Sequence, residues 1–366
     1  MTSFLSKKKD EKSFEDRLAT LPKGTKRNKL YAKKVFADFV KEQYNKTTSE
    51  VIKELQLLKN SKDLQTYEDA LYGMLQDWVD WNEKKGRGNY TIIVIFSNLR
   101  KYLFHLGIKT YEQDIKEYLR FAKRKREERH PLTQKVYRQI INGHTRNPRY
   151  QVLFLMLGSS GMRIGEALNL KKRDVDVTTK RVKITVTDSK TSFGRVTFIS
   201  NEAKAHLIPL LEKLNSDDYI FGRKGMRIHA QSVRKSLNRL LDRIGEDEKY
   251  QTNGYKKITS HSFRAYFFTK AARKHGDGYA HKLIGHGGYL IQYDRMTEEE
   301  KLDMYIKLEP ELVIFEQTKN ELEINKLRDK VDEIDLLKED IRKLRQAQAK
   351  SDMKIIQRIR DKGLIP

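Results

Sequence analysis

Cysteine is absent from all 366 residues of the chain. That absence excludes disulfides, thiolate zinc centres and a cysteine nucleophile. Long apolar runs are missing too. No segment approaches the roughly 20 apolar residues that a membrane helix needs. The opening MTSFLSKKKDEKSFEDR contains no apolar stretch of signal-peptide length. The expectation is a cytoplasmic protein with no membrane partner. Acidic side chains are in short supply: 50 Asp and Glu face 75 Lys and Arg, a formal net charge of +25. An excess of this size favours a polyanionic partner, most often nucleic acid. The bland alternative, which charge alone does not exclude, is a ribosome-associated or merely basic protein. Nor is there a carboxylate cluster of the kind a magnesium nuclease uses, so neither metal nor cofactor is expected.

What is present suits helices. Hydrophobic residues make up 38% and charged residues 34%, enough for packed cores beneath long polar faces, and the length accommodates two domains. Residues 1–26 are polar and lysine-rich and read as a flexible basic arm. From Asn28, apolar residues recur at helical spacing, as in Leu30, Tyr31, Val35, Phe36 and Phe39. Val51, Ile52, Leu55 and Leu58 mark a second helix with Ser49 as N-cap, and Leu71, Leu75, Trp78, Val79 and Trp81 a third. A fourth spans residues 92–106 up to Gly107, and a fifth starts near Tyr111 and runs into KRKREER. Residues 27–125 therefore form a small helical domain with no strand signal. The basic run that closes it is either a solvated helix end or a connector lying on a phosphate backbone.

A second domain, residues 130–312, adds a small antiparallel sheet, so the fold class is mainly α with α+β character. In it, QVLFLMLGSSGMRIGEALNL reads as helix, turn and a second helix opening at Arg163. The stretch RVKITVTDSKTSFGRVTFIS alternates on both sides of a loop and reads as a hairpin, with Val182, Ile184 and Val186 inward on one strand and Val196 and Phe198 on the other. Helices follow at about 201–214 and 230–244. The segment SHSFRAYFFTKAARKHG opens with Ser260 as candidate N-cap and stops at Gly276. Residues 316–350 carry Ile324, Leu327, Val331, Ile334, Leu337, Ile341 and Leu344 at three- and four-residue steps, without glycine or proline. That is the pattern of a coiled coil that associates chains, or of a long helix folded back on its own domain.

Certain ionisable residues fall at glycine- or serine-marked positions. Arg163 follows SSGM, Lys190 sits in the hairpin loop, His261 and Arg264 share a helix face, His286 lies between two glycines, and Tyr293 comes seven residues later. Singly, each reads as an ion pair or a structural group. In order, they describe phosphoryl transfer without metal. Two arginines can grip the non-bridging oxygens of a phosphodiester and offset charge in its transition state. A lysine can protonate a leaving alkoxide, histidines can move protons or donate to phosphate, and a tyrosine can attack phosphorus.

The series resembles the tyrosine recombinase (phage integrase) family. The matches are SSGMRIGEALNL, SKTSFGR, HSFR, LIGH and a downstream tyrosine, in the family's order over about half the chain. The resemblance implies a helical core-binding domain and a catalytic domain clamped on double-stranded DNA. It implies a 3′-phosphotyrosyl intermediate, a Holliday junction and a homo-tetramer, with no need of ATP or metal. Arg163 and Arg264 would bind phosphate, Lys190 would be the general acid, His261 would assist proton transfer, and His286 would fill the second histidine position. Glu166 would be a structural partner of Arg163. A type IB-like topoisomerase shares this chemistry, and an inactive DNA-binding architectural protein would share the scaffold. One feature departs from the pattern. The family's nucleophile usually stands some nine residues past the second histidine, where this chain has Arg295. Tyr293 ranks first for that role. Tyr305, on a helix opened by Thr297 and able to reach a neighbouring subunit, ranks second, and Tyr289 third.

Overall fold

The computed structural model describes residues 9–61, 63–123, 127–187, 194–223, 225–285 and 295–361. The chain divides into two compact units, Met1–Glu128 with Gln251–Gly254, and Arg129–Tyr250 with Tyr255–Pro366. Among the described residues no helix is long and apolar enough to cross a membrane.

The first unit is helical: α1 (Glu11–Arg17), α2 (Lys23–Tyr44), α3 (Thr48–Asn60), α4 (Leu64–Lys84), α5 (Asn89–His105) and α6 (Glu112–Tyr118). Its core gathers Phe36, Phe39, Leu75, Trp78, Val79, Leu99 and Tyr102 from α2, α4 and α5. The cap of α3 is Thr47 rather than Ser49. Thr47 and Glu50 satisfy each other's backbone N–H groups in a reciprocal capping box, which a serine two positions on has no acidic partner to form. The fifth predicted helix also ends early, at Tyr118, and Leu119 is already extended. The basic run therefore lies outside α6.

The expected arm through Lys26 does not hold from Asp10 onward. Asp10 caps α1, and Phe14 and Leu18, four residues apart on one helix face, are buried in the core. Ser13 and the Asp10 carbonyl meet the buried His105 imidazole at 2.8 and 3.2 Å. Two apolar residues among many lysines are a weak pattern, but one amphipathic turn suffices once there is a groove to receive it.

The second unit comprises α7 (Gln134–Gly143), α8 (Pro148–Ser160), α9 (Ile164–Asn169), β1 (Val175–Asp176), β2 (Val182–Val186), β3 (Arg195–Ile199), α10 (Asn201–Leu211), β4 (Gly222–Arg223), β5 (Met226–Arg227), α11 (Ala230–Arg243), α12 (Ser260–His275), α13 (Asp277–Ile284), α14 (Glu298–Leu312) and α15 (Glu316–Asp361). Every residue of α8 from Val152 to Ser160 is buried, and α7, α10, α12, α14 and β3 all pack on it. Gly158 lets Tyr137 lie against that helix, since a Cβ there would stand 2.2 Å from the phenol oxygen.

The hairpin is present, with Val182 paired to Ile199 and Ile184 to Thr197, and β1 adds a third antiparallel strand. Val182, Ile184 and Val186 are buried as their alternation predicts. On β3 the alternation fails, because Thr197, Phe198 and Ile199 are all buried. This stretch is covered on both faces, and Thr197 resolves its polarity by donating to the Ser160 carbonyl at 3.0 Å. At the far end, Glu202 accepts from the N–H groups of Ile314 and Phe315, which fixes the root of α15.

The burial of Phe14 gives a first test. Phe14→Ala should cost about 3–5 kcal/mol of stability, whereas Phe104→Ala, at 61% exposure, should stay within about 0.5 kcal/mol. Both tryptophans, Trp78 and Trp81, belong to the first unit. Denaturant unfolding of the full chain followed by tryptophan fluorescence therefore reads this unit directly.

Candidate active site

The site begins where α8 ends. Gly161 takes a left-handed conformation, φ +65°, that terminates the helix. No side chain fits there, since a Cβ would lie 2.4 Å from Phe267 and 2.7 Å from Ile284. The turn delivers Arg163 to the N-cap of α9. Three residues on, Glu166 folds back, accepting from the Arg163 backbone N–H at 2.9 Å and from Arg163 Nη1 at 2.8 Å. The expected partnership of Arg163 with Glu166 is thus visible in the geometry.

Arg264 arrives from α12, whose N-cap is Thr259, one residue before the predicted Ser260. Its buried guanidinium donates through Nη1 to the Gly161 carbonyl at 2.6 Å. His261 stands one turn earlier at the exposed start of the same helix, its backbone N–H held by the Thr259 hydroxyl. The third guanidinium was not foreseen. Arg195, the first residue of β3, pairs with Glu166 at 2.7 Å through Nη2 and donates to the Leu283 carbonyl at 2.8 Å through Nε. It stood in the sequence as the last residue of SKTSFGR, undistinguished among 75 basic residues.

Three guanidiniums thus surround one carboxylate, an excess of positive charge suited to a phosphate diester. The electrostatics follow from that count. Burial opposes ionisation of Glu166, but hydrogen bonds from Arg195 and Arg163 and the charge of Arg195 outweigh it and hold the carboxyl below its ordinary range. Burial and the neighbouring charge of Arg163, with a further push from Arg195, lower Arg264 to about 10, against the opposing pull of Glu166.

Among the six predicted residues, the structure brings Arg163, His261 and Arg264 into this neighbourhood. Lys190, His286 and Tyr293, together with Tyr289, lie outside the described residues. Tyr305 is in the core. It is 0% exposed, and its hydroxyl donates to the Ser159 carbonyl at 2.7 Å. Burial and the nearby Glu309 carboxylate raise its phenol well above the ordinary range. A phenol so placed would have to leave the core before it could attack anything.

Residues 130–288 match the sequence model of the phage integrase family. Through this domain the chain is similar to the phage integrase family, that of the tyrosine recombinases. The chain is 27% identical over 179 residues to tyrosine recombinase XerC of Staphylococcus saprophyticus, a match covering 47% of this chain and 57% of that protein. XerC of Staphylococcus aureus is 24% identical over 181 residues. The chain therefore spans little more than half the length of the curated relatives it matches. Among solved structures, a lambda integrase dimer bound to a COC′ core site superposes with a TM-score of 0.56 at 17% identity, covering 78% of this chain and 79% of that one. A lambda integrase tetramer bound to a Holliday junction gives 0.54 at 17% identity, covering 80% and 76%. At such identity the likeness concerns the fold: mainly helical, with a small antiparallel sheet.

Glu166 supplies the test of this arrangement. Glu166→Gln should destabilise the second unit by about 3–5 kcal/mol, because it strands the buried Arg195 guanidinium and removes the charged partner of the partly exposed Arg163. The pH dependence has a definite sign. The folded carboxyl titrates below its unfolded value, so its stabilisation is complete above about pH 4.3 and is lost as pH falls through the lower folded value. Calorimetric unfolding should show that acid loss in the native protein and a flatter response over the same range in the variant.

Proposed function

We propose that the protein is a site-specific DNA recombinase or integrase that cleaves and rejoins duplex DNA through a 3′-phosphotyrosyl intermediate. The observation that carries this reading is the placement of Arg163 and Arg264 at the Gly161 turn, in a domain that matches the phage integrase family. In this reading the two arginines bind the non-bridging oxygens of the scissile phosphate and offset its growing charge. Tyr293 attacks phosphorus, forming the tyrosyl ester as the bond to the 5′ oxygen breaks. Lys190 protonates that oxygen. His261 assists proton transfer and His286 donates to the phosphate. The freed 5′-hydroxyl then attacks the ester on a partner strand, which restores the tyrosine. Bond energy is kept throughout, so neither a cofactor nor ATP enters the scheme.

The partners proposed are a double-stranded recombination site and further copies of this chain, arranged as a tetramer on DNA in the cytoplasmic nucleoid. The net charge of +25 supports a DNA partner. A tetramer on a Holliday junction is the assembly of the lambda integrase neighbour, carried over by likeness of fold. The proposed division of labour assigns residues 27–125 to DNA core binding, 130–312 to catalysis and 316–350 to self-association. On α15, Ile324, Leu327, Val331, Ile334, Leu337, Ile341 and Leu344 are all exposed, the face a two-stranded coiled coil would cover.

Two measurements test the proposal. A nicked suicide substrate traps the covalent adduct. Tyr293→Phe should abolish the adduct and keep DNA binding, while Tyr289→Phe and Tyr305→Phe should still form it. Adduct from Tyr293→Phe would move the nucleophile elsewhere, and no adduct from the native protein would remove the recombinase reading. Ending the chain at Phe315 keeps the residues Glu202 holds and removes α15. Sedimentation should then show a smaller assembly with strand cleavage retained, and an unchanged assembly would rule out self-association through the tail.

A further inference from the structure

Beside the groups expected to touch DNA, one buried arginine has no assigned part. Arg195 is 8% exposed at its side chain. It binds three acceptors on two different elements. Nη2 and Nη1 reach the two oxygens of Glu166, at 2.7 and 3.3 Å, and Nε reaches the Leu283 carbonyl at 2.8 Å, at the end of α13. Glu166 in turn holds both the backbone N–H and the guanidinium of Arg163. Gly285, φ +66°, keeps the space open, since a Cβ there would stand 2.7 Å from Arg195 Cδ.

We propose that Arg195 is a positioning residue for phosphate binding: it sets the orientation of Glu166, and through it Arg163, while tying the last turn of α13 to the same carboxylate. This inference rests on the recombinase reading above. Three physical points support it. First, Arg163 holds both Glu166 oxygens, but only from the turn to which Glu166 itself belongs. Arg195 clamps the same two oxygens from β3, which ties that turn to a separate element, so the Arg163 fork is aimed before any phosphate arrives. Second, the planar fork is needed for the task. Lysine offers a point charge that could serve Glu166 or the Leu283 carbonyl, but not both in the observed geometry. Third, the charged groups facing Glu166 are Arg163 from its own turn, Arg195 from β3 and Arg264 from α12. Arg195 is the one among them that also ties down α13. Its side chain is buried against these partners, so its effect passes through its neighbours.

The consequence differs from that of a purely structural ion pair. Without Arg195, burial acts on Glu166 with less opposition, and the carboxyl takes up a proton at higher pH. Arg163 then loses its charged anchor on the acid side of neutrality. The test is single-turnover adduct formation on the nicked suicide substrate, using the full chain with native sequence, Arg195→Met, Arg195→Lys, Glu166→Gln and the Arg195→Met/Glu166→Gln double variant. DNA concentration and pH are varied in each.

For Arg195→Met the maximal rate should fall roughly 10- to 100-fold, with the half-saturating DNA concentration little changed and the acid limb of the rate profile moved to higher pH. Arg195→Lys should recover part of the rate. The double variant should be no slower than the slower single, because both residues act along one line. Arg195→Lys retains the buried charge, so the question stays answerable should Arg195→Met fail to fold, as judged by its melting transition. A lysine variant with native rate and native pH profile would overturn the proposal, as would a double variant whose losses simply multiply. Absence of adduct from the native protein would instead overturn the recombinase reading beneath it.

Discussion

The carboxylate of Glu166 is the constraint on which the rest of the site depends. It lies in a buried position where an isolated charge would be prohibitive, and it is admitted there because guanidiniums come to it from two sides. Those same guanidiniums would repel one another without it. The cluster is thus stable only as a set, and setting its members at fixed distances is a by-product of keeping them charged. Gly161 and the buried length of α8 supply the rigid floor. The helix cannot shift without disturbing β3, α12 and α14 together.

Much of this architecture was legible in the chain. The long helices show their apolar period, and the hairpin shows strict alternation on β2. Arg163 and Arg264 could be picked out because each stands at a marked point, after SSGM and in HSFR. What escaped the sequence has a common cause. Arg195 becomes meaningful only through Glu166, 29 residues away, and Leu283, 88 residues away. A single sequence carries no sign of such pairings. The two-residue strands β1, β4 and β5 are too short to have a period. On β3, alternation misled because both faces of that strand are covered, a condition set by the elements around it and not by the strand.

Tyr305 shows the limit of arguing from reach alone. Its place on a helix after a well-capped start gave it ample chain to travel, but it also gave it a core to enter, and burial took precedence. Phe14 and Leu18 tell the same story from the other end: a short apolar signal inside a lysine-rich stretch still finds its groove. In both cases the sequence showed the residue type and its spacing, whereas the partner surface decided the outcome.

The end of α8 has a further bearing on how an anion could be held there. A helix C-terminus carries a partial negative charge on its last unpaired carbonyls, so a phosphate near it meets an unfavourable dipole. In this domain that end is masked. The Ser159 carbonyl takes the Tyr305 hydroxyl and the Gly161 carbonyl takes the Arg264 guanidinium. Part of the positive field of Arg264 is therefore directed inward, neutralising the backbone beneath it, and the remainder faces outward. The core tyrosine thereby has an electrostatic part in the site without touching it, by quieting a carbonyl that would otherwise add to the negative end of the helix.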